Sequence, residues 1–507
     1  METVVEQSFN ETKEDHSSKE IHYSEKIVTL IKNQREFYRT GNTKPFKFRK
    51  TQLEKLRQLI KDNEKLINEA IQDDLGRSDF IVSFTTGGVI NEVSYMLEYV
   101  LTLKPPFVSR RLKQWMKKIK HRSPQVFLGD KAYVESVPKG VVLIMGPWNY
   151  PFLLLMVPLI GAIAAGNCVI IKPSEVSVNT SRVVEKLINE NFDSNFIHVE
   201  TGGVEEAITL TNNPSWDHIF FTGGTEIGRT VYQAAAKNLI PVTLELGGKS
   251  PTIVDKDVHL NLTARRLVQT KFLNAGQTCM APDYLLVHKD VVEPLTKAME
   301  HYFKKFFGED IEQSKDFARI ISDKQFNRLL PQIKQGEVVF GGKSNPESRF
   351  IEPTIIKNVD LASQLMQQEI FGPILPIVEW ETEEEVINFI ESRQHPLALY
   401  IYTKNKKFKE KILANTNFGG AMINESVLYY LHPEIPFGGK GESGLGNYSG
   451  KYSFDTFSQQ RPVIEAGTFL DRFLERSKVK AFRYPPYKKM NVRLLKLFQR
   501  TFARFRF

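Results

Sequence analysis

The chain has 507 residues, 41% apolar and 25% charged, a balance that fits two or three packed cores and excludes a fibrous or wholly disordered polypeptide. Cys168 and Cys279 are its only cysteines, which excludes a disulfide framework and fits a reducing compartment. The net charge of +9 is local: residues 471–507 hold twelve Lys and Arg against Asp471 and Glu475, so the rest of the chain is close to neutral. Residues 1–23 are polar and acidic-leaning (Glu2, Glu6, Glu11, Glu14, Asp15, Glu20). They lack the apolar run of a signal peptide and the arginine pattern of a transit peptide, and are expected to be disordered. From 24 to 105, apolar residues recur at helical spacing, as in Leu53, Leu56, Leu59, Ile60 and Leu66, Ala70, Ile71.

Between Gly140 and Ile171 there is no charged residue, long enough to suggest a membrane span. Gly146, Pro147, Asn149, Pro151, Pro158, Gly161 and Gly166 interrupt it, and that density of breakers predicts a buried strand (Val141–Met145), a turn, a short helix and a second strand (Cys168–Ile171). Cys168 then belongs to core packing. Further strand-like runs at Phe196–Val199, His218–Phe221 and Val242–Leu244 alternate with helical ones, which predicts a parallel sheet covered by helices. After Gly247 a second α/β unit is expected, with strands at Thr252–Val254, Tyr284–Val287 and Ile374–Val378. Two motifs are set aside. Gly439 to Gly444 spells G-x-G-x-x-G but follows no strand, so it reads as a loop; Gly223 to Thr230 nearly spells a phosphate loop, but Arg229 stands where the essential lysine belongs.

Chemistry concentrates around Cys279, 34 positions after Glu245. A free thiol with a pKa of ~8.5 is mostly protonated at neutral pH, so a nucleophilic cysteine needs a base or an electropositive setting. An ionised Glu245 is the candidate base. Gly223 and Gly228 flank the start of a predicted helix, where glycines let backbone approach a pyrophosphate and free N–H groups meet it.

These residues sit in a series of blocks: Gly146-Pro147-Trp148-Asn149-Tyr150-Pro151, Lys172-Pro173-Ser174-Glu175, Phe221-Thr222-Gly223-Gly224-Thr225-Glu226-Ile227-Gly228, the Glu245 and Cys279 segments, Glu369-Ile370-Phe371-Gly372-Pro373 and Pro436-Phe437-Gly438-Gly439. In that order, over residues 24 to 465, they resemble the aldehyde dehydrogenase superfamily. Ala281-Pro282-Asp283-Tyr284 and Gly450-Lys451-Tyr452-Ser453-Phe454 are similar to its class 3 branch, fatty aldehyde dehydrogenases and fungal hexadecenal dehydrogenases included. The resemblance implies an α/β fold with a Rossmann-like cofactor domain (24–246, with part of a dimerisation arm near 128–138), a catalytic domain (247–440), a dimerisation strand and linker (441–467) and a tail (468–507).

The resemblance also implies roles. Cys279 is the nucleophile, Glu245 the base for thioester hydrolysis, and the Asn149 amide an oxyanion donor. Lys172 and Glu175 face the adenosine ribose, where a carboxylate repels a 2′-phosphate and favours NAD, with NADP use left open. Gly223, Gly224 and Gly228 face the pyrophosphate, Glu369 the nicotinamide-side ribose and Phe371 the nicotinamide. No metal is assigned. Two departures stand out. Serine is more usual in relatives where Gly224 stands, which removes a hydroxyl donor, and Lys440 replaces a small apolar residue. The expected function is NAD-dependent oxidation of medium- or long-chain aliphatic aldehydes, hexadecenal and aromatic aldehydes among them, by a homodimer. The alternative is a catalytically weak membrane-associated scaffold.

Residues 490–507 read as an amphipathic helix, with Leu494, Leu495, Phe498, Phe502 and Phe505 on one side and Arg493, Lys496, Arg500 and Arg504 on the other. No run reaches spanning length, which favours lying on an anionic membrane surface, on the cytosolic face of the endoplasmic reticulum, a lipid droplet or the mitochondrial outer membrane. Docking on the enzyme body to gate its entrance is the other reading. No recognition module for nucleic acid accompanies the basic residues.

Overall fold

The structure is a computed structural model that describes residues 25–101, 108–122 and 130–467, with Lys489, Val492, Arg493 and Lys496 beyond them. The expected disordered segment 1–23 and most of the amphipathic tail lie outside the described residues; the four tail residues that are described are helical and exposed. The chain forms two compact units, one of Met1–Trp115 with Pro138–Gln459 and one of Met116–Val137 with Gln460–Phe507. In the second, strands at Ser458–Glu465, Lys131–Pro138 and Ile119–His121 build a three-stranded sheet in that spatial order.

The larger unit opens with helices at Glu25–Arg39, Phe46–Asp62, Glu64–Leu75 and Asp79–Leu97. Leu53, Leu56 and Ile60 line the buried face of the second, as their spacing predicts. In the third the buried stripe runs through Ile67, Ala70, Ile71 and Leu75, while Leu66 is exposed. The one-residue difference is 100° of rotation, enough to move a side chain off the core.

The predicted strands form the first sheet, three extended by one residue, one unchanged and one without Phe196: Val141–Met145, Cys168–Lys172, Ile197–Val199, His218–Thr222 and Val242–Glu245. All are parallel, and Val141–Met145 is central. The chain steps outward to one side through Cys168–Lys172 and Ile197–Val199, then returns to the other side of the centre for His218–Thr222 and Val242–Glu245. That reversal opens a crevice beyond the carboxyl ends of the strands, where doubly wound sheets bind ligands. Gly444–Leu445 pairs antiparallel with Val242–Glu245 at the edge.

The uncharged stretch resolves as expected into strand, turn, helix and strand. Its helix, Leu153–Ala165, is apolar on all sides because it is buried on all sides, from Leu155 and Met156 through Leu159 to Ala165. Among the described residues no helix is long and apolar enough to cross a membrane. Cys168 is wholly buried in its strand.

A second sheet follows in the order Glu337–Phe340, Thr354–Lys357, Ile374–Trp380, Tyr284–His288, Pro251–Val254, Ala398–Tyr402 and Gly420–Ile423, parallel except for its first member. Ile253, Leu286, Leu399 and Ile401 point from it into one packed layer with Trp380, Phe408 and Ile412. Gly439 to Ser443 is loop, as its lack of a preceding strand implies.

Candidate active site

Four segments converge beyond the carboxyl ends of the first sheet. The turn after Val141–Met145 carries Trp148 and Asn149; the turn after His218–Thr222 carries Gly223 and Gly224; Val242–Glu245 ends in Glu245 itself. The thiol arrives on a segment following the tight turn Leu273–Gly276. There Asn274 and Ala275 have φ of 53° and 52°, left-handed values that L residues adopt at a cost. Gly276 follows with φ 74°, and a side-chain carbon on it would collide with the carbonyl of Gly372, so this position requires glycine.

Together they enclose a cavity of about 300 Å³. Of the residues singled out from sequence, Asn149, Gly223, Gly224, Glu245, Cys279, Glu369 and Phe371 line it. Lys172, Glu175 and Gly228 do not. Lys172 is buried at the carboxyl end of the neighbouring strand, its ammonium 3.7 Å from the Glu175 carboxylate, which is about half exposed. Gly228 sits one helical turn into Thr225–Ala236, where any side chain would collide with Leu246; its hydrogen is needed for helix-to-sheet packing rather than for ligand contact. Gly224 has extended backbone with open space beside its Cα, so a serine would fit and the glycine forfeits only a donor.

Electrostatics in the cavity follow from burial. Both carboxylate oxygens of Glu245 are buried without a hydrogen-bond partner, and desolvation holds this acid well above the usual carboxylate range. The carboxyl meets no donor that would favour its charged form, which works against the ionised glutamate expected beside the thiol. Cys279 is partly exposed to the cavity, yet burial and the Glu369 and Glu245 carboxylates push its thiol up to about 12, against backbone N–H groups of Cys279 and Met280 that face the sulfur. Burial and Asp283 raise Glu369 to about 8, opposed by the N–H of Gly248 and the cations of Lys249 and Arg328. The Asn149 side chain, 3% exposed, donates to the carbonyl of Gln277 at 3.2 Å, which leaves a second N–H for a ligand.

Sequence reasoning missed several lining residues. Trp148 packs edge-on to Phe371, ring centroids 5.3 Å apart, and Phe371 itself has a left-handed φ of 50°. Arg328 donates to the carbonyl of Ile370 at 2.8 Å and to Gln325 at 2.7 Å. Thr222 brings a third orphaned oxygen to the cavity. Trp148 and Thr222 lay inside quoted motifs but were given no role there, and Arg328 carries no local signature. Lys440 bonds the Asn417 side chain at the surface.

The residues fit a dinucleotide. Glycine backbone and a helix N-terminus face a crevice at the strand switch, and buried polar atoms of Thr222 and Glu245 there lack partners.

A family model described as the aldehyde dehydrogenase family matches residues 14–463. The chain is 44% identical to a 4,4'-diaponeurosporen-aldehyde dehydrogenase of Staphylococcus aureus, over 89% of this chain and 95% of that one. It is 42% identical to aldehyde dehydrogenase family 3 member A2 of Pongo abelii, over 90% of each chain, and 42% identical to a dimeric NADP-preferring aldehyde dehydrogenase of Rattus norvegicus, over 91% and 98%. A solved structure described as the substrate bound state of Staphylococcus aureus AldH superposes with a TM-score of 0.86 at 42% identity, covering 93% of this chain and 99% of that one. Strand order, cavity and similarity over nine-tenths of the chain agree: the protein belongs to the aldehyde dehydrogenase family, enzymes that oxidise aldehydes with a nicotinamide cofactor.

Proposed function

We propose that this enzyme oxidises medium- and long-chain aliphatic aldehydes, hexadecenal and aromatic aldehydes among its substrates, to carboxylic acids, with NAD as the preferred acceptor and a thioester on Cys279 as intermediate. The observation that carries this reading is the shared cavity of Cys279, Asn149 and an unpartnered Glu245 carboxyl.

The Cys279 thiol gives up its proton through Glu245 to solvent as its sulfur attacks the aldehyde carbon, and the Asn149 amide with the Cys279 backbone N–H receives the oxyanion. When bound, the nicotinamide cofactor supplies the two-electron acceptor that turns the thiohemiacetal into a thioester. Gly223, Gly224 and the helix start behind them would hold its pyrophosphate, Lys172 and Glu175 the adenosine ribose, Glu369 the second ribose and Phe371 the nicotinamide. Glu245 then takes a proton from water, which attacks the thioester and frees Cys279. Burial strengthens this carboxyl's hold on a proton, which suits a group that takes one from water. The half-exposed Glu175 carboxylate favours a ribose hydroxyl over a 2′-phosphate, although one relative is named NADP-preferring.

Resemblance to fatty aldehyde dehydrogenases and the basic tail support apolar substrates, which concentrate in lipid because each buried CH₂ contributes ~0.8 kcal/mol. We assign the tail to an anionic membrane on its cytosolic face and the sheet of Lys131–Pro138 and Ser458–Glu465 to a homodimer; a relative is named dimeric. A catalytically weak scaffold has less support, since Cys279, Glu245 and Asn149 line one cavity.

The test is NADH formation with hexadecanal, a short aliphatic aldehyde and benzaldehyde, each with NAD and NADP. The expected order puts hexadecanal with NAD first. Cys279→Ala and Cys279→Ser should abolish oxidation and leave NAD binding intact; substantial turnover by the alanine variant would refute the covalent route.

A further inference from the structure

Arg77 lies in the turn between the helices Glu64–Leu75 and Asp79–Leu97 and is 5% exposed. A buried guanidinium is normally paired with a carboxylate, because desolvating an unpaired cation is costly. The hydrogen bonds of Arg77 go instead to uncharged oxygens. Its Nε donates to Asn274 Oδ1 at 2.7 Å, and an Nη donates to the backbone carbonyl of Asn149. The guanidinium carbon lies over the Tyr150 ring, 4.1 Å from its centre, and the Tyr150 hydroxyl bonds Thr278, the neighbour of the thiol, at 2.9 Å.

Arg77 also orients its partner. With Oδ1 of Asn274 taken, the amide nitrogen of that side chain is aimed at two carbonyls, Asn149 at 3.2 Å and Gln277 at 3.0 Å. The Asn149 side chain donates to the same Gln277 carbonyl. Asn274 is one of the two left-handed residues in the turn that delivers Cys279, so these bonds hold a strained conformation in place. One side chain therefore ties the Asn149 turn to the thiol turn, across 72 and 197 positions of sequence.

We propose that Arg77 is a positioning residue for aldehyde oxidation: its two-pronged hold on Asn149 and Asn274 sets the Asn149 amide against the Cys279 sulfur. The inference rests on the assignment of Asn149 as oxyanion donor. Oxyanion donors work only when preorganised, and a planar fork satisfies two separated acceptors where a lysine, a point donor, reaches one. Arg77 touches neither substrate nor cofactor, so its loss is expected in kcat rather than in NAD affinity.

The test is a double-mutant cycle in the full-length enzyme with hexanal and NAD. Asn149→Ala should lower kcat about 10²–10³-fold. Arg77→Lys should lower it roughly tenfold or more with NAD affinity within about twofold, and Arg77→Gln further. Adding Arg77→Lys to Asn149→Ala should cost no more than about twofold, because the residue acts through the amide already removed. Losses that multiply in the double variant, or an unchanged kcat in both Arg77 variants, would overturn the positioning role alone. An unchanged kcat in Asn149→Ala would sink the oxyanion assignment and this role with it. Thermal midpoints are read alongside, and a kcat loss that merely tracks lowered midpoints across the two Arg77 variants also overturns it.

Discussion

Glu245 is unusual for what it lacks. Its two carboxyl oxygens have no hydrogen-bond partner, and burial alone raises its hold on a proton. The base form therefore grows as pH rises, so thioester hydrolysis should accelerate from neutral into alkaline solution. Single-turnover deacylation measured against pH should show that rise in the native enzyme, and Glu245→Gln should accumulate acyl-enzyme with a flat, slow profile. A steady-state rate unchanged in that variant would make Glu245 structural. The thiol obeys the same logic. After burial itself, Glu369 raises it most, ahead of Glu245. Glu369→Gln should move the pH midpoint of Cys279 alkylation by iodoacetamide downward, and an unmoved midpoint would mean that burial alone sets it.

At the scale of elements, the helix Asp79–Leu97 carries a buried carboxyl outside the site. Glu92 accepts from the N–H of Gly450 at 2.7 Å, at the start of the helix Gly450–Thr456, and burial pushes it up to about 7. An acid whose folded value lies above its unfolded value of 4.5 favours folding only while protonated. Its stabilising share is full below 4.5 and is lost as pH climbs to about 7. Glu92→Gln keeps the acceptor and removes the charge. It should raise the thermal midpoint at pH 8, by something on the order of 1–3 kcal/mol in stability, and leave it nearly unchanged at pH 4. Equal shifts at both pH values would mean packing, not ionisation, is at stake. Gly228 is the second element-scale test. Gly228→Ala pushes the helix Thr225–Ala236 off Leu246 and should weaken cofactor binding without touching the ligand, while Gly224→Ser, in open space, should not destabilise.

For the whole molecule, charge is segregated: the body is near neutral and the last 37 residues are basic, in a chain where no described helix can cross a bilayer. Full-length protein should co-sediment with vesicles containing phosphatidylserine, and a chain ending at Ser477 should not; raising salt should release the former, since the attraction is screened over about 10 Å at 0.1 M. Equal sedimentation of the two would remove the membrane assignment.

How much of this was readable beforehand depends on the range of the interaction. The strands Val141–Met145 and Cys168–Lys172 were legible because continuous apolar runs between breakers report burial on both faces of a parallel sheet. Cys279, Glu245 and Asn149 were legible because their motifs are short and contiguous. Leu66 is exposed although it shares the helical spacing of its buried neighbours, because spacing alone leaves rotation uncertain by a residue. Arg77 and Arg328 could not be found: each acts on groups far away in sequence, and their own neighbours in the chain say nothing of it. The desolvation of Glu245 belongs to the same class. Chemical identity and local periodicity reside in the chain itself, whereas the desolvation of a carboxyl and the meeting of a guanidinium with a distant turn exist only once the sheets have packed and water has been expelled.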